Sequence, residues 1–124
     1  MKTCVVLAPA DEKQLESLIG ESKRHNPNKY EIRADFVKNV KNKHDLVFST
    51  LKRLGISSRS IITLRPEGQG GKFEGKDAEK IAILQHALEI KPEFLDIELD
   101  FAKRNPEFVH SIKKQRKILC FSFV

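Results

Sequence analysis

The sequence of 124 residues has few of the features that membrane, secreted or metal-binding proteins need. No apolar run approaches the roughly 20 residues of a membrane-spanning helix, so no membrane association is expected. The apolar stretch in residues 1–7 is too short for a signal peptide and lacks a small-residue cleavage site, which predicts a cytoplasmic protein. The two cysteines, Cys4 and Cys120, lie in β-like apolar runs that are typical of buried, reduced thiols. Because no CxxC pair or His/Cys cluster occurs, we expect no metal site.

Positive charge is the main excess in the composition. The chain carries 23 Lys and Arg against 17 Asp and Glu, a formal net charge of +6. Nucleic acid is the partner that such a balance first suggests. The basic residues are spread over helix-like segments and their connections, however, and no aromatic residues alternate with them to form a base-stacking platform. A solvated outer surface explains the charge better, and we expect no nucleic-acid partner.

Short β-like runs alternate with helix-like segments along the whole chain. The five β-like runs are residues 3–8, 30–35, 60–65, 94–99 and 117–123. Apolar residues at helical spacing follow the first four runs: Leu15, Leu18 and Ile19; Leu46, Val47, Leu51 and Leu54; Ile81, Leu84, Ala87 and Leu88; and Phe108, Val109 and Ile112. Units of about 30 residues predict parallel strands joined by crossover helices. Residues 1–124 are therefore expected to form one α/β domain, either an open doubly wound sheet or part of a (β/α)8 barrel.

Charged side chains on three of the predicted strands favour the barrel. Because side chains alternate along a strand, each of the following sets shares one face of its strand: Glu31, Arg33 and Asp35; Thr63 and Arg65; and Asp96, Glu98 and Asp100. Parallel strands are normally apolar on both faces, and an isolated buried charge is unfavourable, so these groups need a shared wet pocket or mutual pairing. The carboxyl ends of barrel strands form such a pocket. Exposed strand ends, or ion pairs that only hold the sheet together, are the alternative.

Four motifs in register carry a resemblance to a known family. They are Glu31-Ile32-Arg33-Ala34-Asp35, Thr63-Leu64-Arg65, Gly70-Gly71-Lys72-Phe73-Glu74-Gly75 and Asp96-Ile97-Glu98-Leu99-Asp100. Each alone is weak, but their order and spacing resemble those of the type I 3-dehydroquinate dehydratases. The resemblance implies about the first five strands and four helices of a (β/α)8 TIM barrel. It also implies a lyase of the shikimate pathway of aromatic amino acid biosynthesis.

The reaction and the binding residues follow from the same resemblance. In this family 3-dehydroquinate loses water to give 3-dehydroshikimate through a Schiff base (imine) with a lysine, with a histidine as proton carrier and no metal or organic cofactor. The substrate-binding Glu and Arg of the first motif, and the Arg of the second, correspond to Glu31, Arg33 and Arg65. A carboxylate accepts hydrogen bonds from ring hydroxyls, and guanidinium groups donate to oxygens in fixed geometry, so these residue types suit a polyhydroxylated carboxylate.

The sequence departs from the family at the residues that do the chemistry. Gln69 stands where the family has a carboxylate beside the catalytic histidine, and Glu67 lies two residues earlier. Phe123 stands near the place of that histidine, and the sequence ends at Val124, before the strand that carries the imine lysine. An amide can orient an imidazole but cannot stabilise its cation as a carboxylate does. No catalytic residue is therefore predicted, and this chain alone is expected to be inactive.

The remaining lysines and histidines do not supply the absent groups. Lys113, Lys114 and Lys117 precede the fifth strand and are expected to favour the C-terminal dipole of the fourth helix. All four histidines are expected at the surface, the first two in polar connections and the others in helices: His25, His44, His86 and His110.

Two functional interpretations stay open. The chain is either a dehydratase fragment, truncated in the fifth strand, or a non-catalytic half barrel that associates with itself or with a partner chain. A sheet that does not close leaves two strand edges, residues 3–8 and 117–123, and unpaired edges invite pairing. Because residues 118–124 contain no charged side chain and no proline, we expect a homodimer or aggregation through these edges.

Overall fold

The computed structural model of the protein describes residues 3–115 and the backbone of residues 118–122. Within these residues, five parallel strands form one sheet in the order β1-β2-β3-β4-β5. Their bounds are β1 Cys4–Leu7, β2 Lys29–Arg33, β3 Ser60–Thr63, β4 Phe94–Glu98 and β5 Ile118–Ser122. Lys117 and Phe123 of the predicted fifth strand, and the side chain of Cys120, lie outside the described residues.

Helices lie between successive strands. Their bounds are α1 Glu12–Ser22, α2 Val40–Arg53, α3 Asp77–Glu89, α4 Leu99–Arg104 and α5 Pro106–Lys114. Doubly wound sheets change strand order at a switch point, whereas a barrel keeps the strands in chain order. The observed order therefore confirms the predicted partial (β/α) barrel and excludes the alternative of an open doubly wound sheet. None of the described helices is long and apolar enough to cross a membrane; the cytoplasmic location stays a prediction.

Local sequence signals explain where several helices begin and end. Asp11 precedes α1 in an extended conformation, and its side chain accepts a 2.8 Å hydrogen bond from the backbone N–H of Gln14, as an N-cap residue does. After α2 the chain turns at Gly55, whose positive φ of 73° is favourable for glycine. Pro106 begins α5, where a missing backbone N–H is tolerated. Lys113 and Lys114 lie in the last turn of α5, as predicted, whereas Lys117 lies outside the described residues.

The predicted strand position of Asp100 and the predicted exposure of His44 are wrong. The fourth strand ends at Glu98, and Asp100 lies exposed in α4, so it does not share a strand face with Asp96. This helix was not predicted, because its six residues are too few for helical periodicity to be recognised. His44 lies buried in α2 rather than in a polar connection, with its Nε2 2.6 Å from Nδ1 of His86 in α3. The burial of His44 depends on how α2 packs against α3, which one sequence does not predict.

The hydrophobic core lies between the sheet and the helices. Alternate strand residues that face the helices are almost fully buried: Tyr30, Ile32, Ile62, Leu64, Leu95 and Ile97. Helix residues including Leu15, Val47, Leu51 and Leu84 belong to the same buried cluster. Leu46 was expected in the apolar stripe of α2 but is 39% exposed. The core thus covers the helix-facing side of the sheet, and polar groups lie on the opposite side.

The loop between β3 and α3 lies close to the ends of β2 and β3. The backbone N–H of Phe73 donates to the carbonyl of Arg65 at 3.0 Å, and the Phe73 side chain is buried. A Cβ atom on Gly71 would lie 2.1 Å from the Arg65 carbonyl oxygen, so only glycine allows this approach. The glycine pair of the third motif therefore brings the loop against the strand that carries Arg65.

Candidate functional site

The face of the sheet turned away from the helices is polar at the carboxyl ends of its strands. Register places Glu31 beside Ile61, Arg33 beside Thr63, and Thr63 beside Asp96. We call this surface the inner face and define it by Glu31, Arg33, Ile61, Thr63, Arg65, Phe94, Asp96 and Glu98. The sequence-predicted Glu31, Arg33 and Arg65 are therefore on the same side of three neighbouring strands or their ends.

Asp96 and Thr63 connect Glu31 to Arg65. The Thr63 hydroxyl donates to Glu31 Oε2 at 2.8 Å and lies 3.5 Å from Asp96 Oδ2. The Arg65 guanidinium donates from Nη2 to the same Asp96 oxygen at 2.6 Å. Arg65 lies two residues beyond the end of β3, yet its side chain still reaches the inner face. The hydrogen bonds thus place the Glu31 carboxylate on one side of the buried Thr63 side chain and the Arg65 guanidinium on the other.

Arg33 is fixed by a different carboxylate. Its Nε and Nη2 donate to the two oxygens of Asp35 at 3.0 Å and 2.9 Å. The prediction that Asp35 shares the strand face of Glu31 and Arg33 is wrong, because β2 ends at Arg33. Asp35 lies in a 3₁₀ turn, Ala34–Phe36, and its side chain contacts Arg33 from there. This hydrogen-bonded pairing raises the pKa of the Arg33 guanidinium, and the nearby Glu31 and Asp96 carboxylates act in the same direction. Arg33 is therefore a permanent cation close to both carboxylates of the first network.

A buried ion pair joins the inner face to an outer helix. The Lys80 ammonium in α3 donates to Glu98 Oε1, and the two side chains are 4% and 1% exposed. The Lys80 Nζ also lies 4.7 Å from the centroid of the Phe101 ring. Burial lowers the pKa of the Lys80 ammonium, and the hydrogen bond and charge of Glu98 oppose that shift. The Glu98 carboxylate is therefore paired within the protein rather than with solvent.

Three buried polar atoms of the inner face have no hydrogen-bond partner among the described residues. They are Arg65 Nε, Asp96 Oδ1 and Glu98 Oε2. Buried polar atoms are nearly always paired, and an unpaired one destabilises the folded state. One donor and two acceptors are thus left over beside the network. A ligand rich in hydroxyl and carboxylate groups has both kinds of partner to offer.

Gln69 and Glu67 occupy the loop above this face. Gln69 Nε2 lies 3.3 Å from Asp100 Oδ2, so the amide contacts a carboxylate from α4. Glu67 is exposed in the turn Glu67–Gln69, where its backbone rather than its side chain holds the loop. Neither residue enters the network of Glu31, Thr63 and Asp96. The structure therefore brings the three predicted binding residues together and leaves the loop amide at the rim.

Sequence reasoning missed the residues that hold the site together. Thr63 was recognised only as a neighbour of Arg65, and Lys80 was not singled out because its helix gives no sign of an inward ion pair.

Cys4 was expected to be buried but is exposed, and partial burial and the Glu31 charge raise the pKa of its thiol. Among the described residues, no three His, Cys, Asp or Glu side chains converge as metal ligands, and the expectation of no metal stays a prediction.

The fold and site define a partial parallel α/β barrel with a charged, hydrogen-bonding inner face. A 3-dehydroquinate dehydratase from Geobacillus kaustophilus superimposes on 98% of this chain with a TM-score of 0.83 at 21% identity. The enzyme from Enterococcus faecalis gives a TM-score of 0.79 at 20% identity. This chain covers 49% and 52% of those two structures. At such identities the likeness establishes the fold.

The sequence profile described as type I 3-dehydroquinase matches residues 3–123, and the chain belongs to that family. A bifunctional 3-dehydroquinate dehydratase/shikimate dehydrogenase of Arabidopsis thaliana is 30% identical over 111 residues, which are 87% of this chain and 17% of that protein. The 3-dehydroquinate dehydratase of Methanococcus maripaludis strain C7 is 38% identical over 79 residues, 64% of this chain and 33% of the enzyme. The chain therefore spans about half the length of the two solved structures and 17% and 33% of these two curated relatives.

Proposed function

We propose that this chain binds 3-dehydroquinate through Glu31, Arg33 and Arg65 and does not dehydrate it. The observation that carries the proposal is the convergence of these three side chains on one face: Thr63 and Asp96 connect Glu31 to Arg65, and Arg33 lies beside Thr63 in the strand register. Arg33 and Arg65 keep 17% and 20% of their side-chain surface exposed, enough for a ligand to reach them. The likeness of the four motifs to a 3-dehydroquinate-processing family supports the choice of ligand.

The chemistry of the inner face suits this ligand. Each guanidinium presents planar donors to a carboxylate or to adjacent hydroxyl oxygens, and Glu31 accepts from a hydroxyl. The unpartnered Arg65 Nε and Asp96 Oδ1 add one donor and one acceptor next to the same residues. A sugar-like acid with several hydroxyl groups offers both donors and acceptors to this face, whereas an apolar ligand offers neither.

Absence of turnover follows from the residues that the family's reaction requires. The imine needs a reactive lysine at the substrate ketone, whereas Lys80, which reaches Glu98 from α3, is buried in an ion pair. Gln69 at the rim cannot stabilise an imidazolium. A single acid–base group contributes about 10² to 10⁴ in rate, so a site without the histidine and the lysine is not expected to turn over.

Trapping with borohydride tests the absence of an imine. The chain is incubated with 3-dehydroquinate, borohydride is added, and the intact protein is weighed by mass spectrometry. We expect no ultraviolet absorption from 3-dehydroshikimate before borohydride is added, and the unmodified protein mass afterwards. A stable substrate adduct on any lysine contradicts the proposal. A family enzyme that is catalytically active, treated in parallel, is the positive control.

A chemical-shift titration tests the binding site. With one side of the pocket formed by the described residues, we expect a dissociation constant near millimolar, about 4 kcal/mol of binding free energy. Arg65→Ala should abolish saturable shifts at Glu31 and Thr63. The matched control is Arg53→Ala, because Arg53 is an exposed arginine paired with Glu16 away from the inner face. Equal titration curves for Arg65→Ala and the unaltered chain would show that the site is wrong.

A second candidate function is association without catalysis, by pairing with another copy of the chain. The observation that favours it is the first strand, which lies at an end of the sheet and exposes Cys4 and 57% of Val6. Exposed apolar side chains at an unpaired strand edge are typical of an interface. The net charge of +6 opposes association, but salt screens it beyond about 8 Å, whereas edge pairing acts at contact.

Light scattering at micromolar concentration and physiological salt tests this second candidate. A monomer of 14.2 kDa rules out association under these conditions. If a dimer forms, Val6→Lys should shift it toward the monomer, because a charged residue blocks edge pairing. Leu46→Lys is the control, since Leu46 is exposed on α2 rather than on the sheet.

A further inference from the structure

Asp35 is the most completely satisfied carboxylate of the described site. Its side chain is fully buried and accepts three hydrogen bonds from two separate segments. Two come from the Nε and Nη2 of Arg33, and the third comes from the backbone N–H of Lys72 at 3.0 Å. One carboxylate therefore joins the end of β2 to the loop that follows Arg65.

The pairing decides which edge of Arg33 is left for a ligand. A guanidinium has five N–H donors in a planar fork, and Asp35 occupies the Nε/Nη2 edge. The ring of Phe36 lies 5.1 Å from the Arg33 Cζ and restrains the guanidinium further. The Nη1/Nη2 edge is the one that remains, and it matches the two oxygens of a carboxylate or of adjacent hydroxyl groups.

The third hydrogen bond fixes the loop. Residue 72 donates its backbone N–H to Asp35, Gly71 donates its N–H to the Pro66 carbonyl, and Phe73 donates its N–H to the Arg65 carbonyl. Three consecutive loop residues thus contact the ends of two strands. The same loop carries Gln69 at the rim of the inner face.

We propose that Asp35 is a positioning residue that sets the orientation of Arg33 and the placement of residues 70–73 together. The inference rests on the proposed function in one respect, namely that Arg33 binds the ligand. Loss of the Asp35 charge releases both elements at once, so a ligand must then order a free arginine and a free loop. Ordering one free arginine lowers affinity by up to about tenfold.

The experiment compares Asp35→Asn with Glu16→Gln, which removes the charge of an exposed carboxylate that also binds an arginine. In the unaltered chain at neutral pH, the Arg33 Nε–H should give a proton signal that exchanges slowly with solvent. Asp35→Asn should accelerate that exchange at least tenfold, shift the amide signals of residues 70–73, and weaken 3-dehydroquinate binding about tenfold. Glu16→Gln should change none of these. Lys72→Ala, which keeps the backbone N–H, should preserve slow exchange.

The outcomes distinguish a failure of the proposed ligand binding by Arg33 from a failure of the proposed role of Asp35. If Arg33→Ala leaves 3-dehydroquinate binding unchanged, the proposed function is wrong for Arg33, yet the exchange and loop signals still decide the role of Asp35. Fast exchange of the Arg33 Nε–H in the unaltered chain overturns the inference, even where Asp35→Asn fails to fold. Unchanged affinity in a folded Asp35→Asn, when Arg33→Ala does weaken binding, also overturns it.

Discussion

The two faces of the sheet are built from alternate residues of the same strands, yet they follow opposite rules. The helix-facing residues Ile32, Ile62 and Ile97 are apolar and completely buried. Their immediate neighbours on the inner face, Arg33, Thr63 and Asp96, are polar and connected by hydrogen bonds and ion pairs. Consecutive residues of one strand therefore alternate between the hydrophobic core and the polar inner face.

Stability alone does not explain the polar face. Burying an apolar side chain contributes about 1.5–3 kcal/mol, whereas a buried ion pair is often no more stabilising than apolar residues of the same volume. The unpartnered atoms Arg65 Nε, Asp96 Oδ1 and Glu98 Oε2 make the inner face less favourable still. A sheet selected only to fold would place apolar residues here. The charged set instead fits the proposed binding face.

The largest expected effect comes from breaking the ion pair that joins the two sides. Lys80→Met should lower the free energy of unfolding by about 3–5 kcal/mol, because Glu98 is then buried without a partner. Urea denaturation followed by circular dichroism measures it. The double variant Lys80→Met with Glu98→Gln removes both charges and should recover part of the loss. A double variant as unstable as the sum of the single variants would show that the two residues do not act as a pair.

A pair of neighbouring isoleucines tests the comparison directly. Ile62→Ala should lower the free energy of unfolding by about 2–5 kcal/mol, because Ile62 is fully buried between sheet and helices. Ile61→Ala, one residue earlier on the inner face, should have a smaller effect, because Ile61 is only half-buried. The same denaturation assay serves for both. Equal losses would mean that the inner face is packed as tightly as the core.

Hydrophobic periodicity and turn residues were enough to predict most of the fold. Five strands and four helices were recognised within a few residues of their bounds, since alternation and helical spacing depend on local sequence. Glu31, Arg33 and Arg65 were also placed on one face by alternation. Thr63 as a bridge, Lys80 as a partner and His44 as a buried residue depend on which elements pack together. Such contacts join residues that are between 18 and 42 positions apart, and one sequence does not reveal them.

The conformation of the loop between β3 and α3 requires glycine at Gly71 but not at Gly68. Gly71→Ala should lower the free energy of unfolding by about 1–3 kcal/mol and displace the loop, because the new Cβ would lie 2.1 Å from the Arg65 carbonyl oxygen. Gly68→Ala is the matched control in the same loop, since an added Cβ there meets nothing within 4 Å. Amide chemical shifts of residues 70–73 report the displacement. Identical behaviour of the two variants would contradict the close approach.

The smallest expected effect concerns an exposed ion pair on the helices, which contrasts with the buried pair of Lys80. Arg104 and Asn105 hydrogen-bond to Asp77 and lower the pKa of its carboxyl group. Because the folded-state pKa lies below the unfolded value near 3.9, the resulting stability is present above that pH and is lost as the pH falls through the folded-state pKa. Arg104→Gln should therefore reduce the free energy of unfolding at pH 7 by less than about 1 kcal/mol, since exposed pairs are screened. At pH 2 the variant and the unaltered chain should approach equal stability. Thermal unfolding at both pH values measures the difference, and a deficit that stays constant or grows on acidification would show that Arg104 acts through packing rather than through the Asp77 charge.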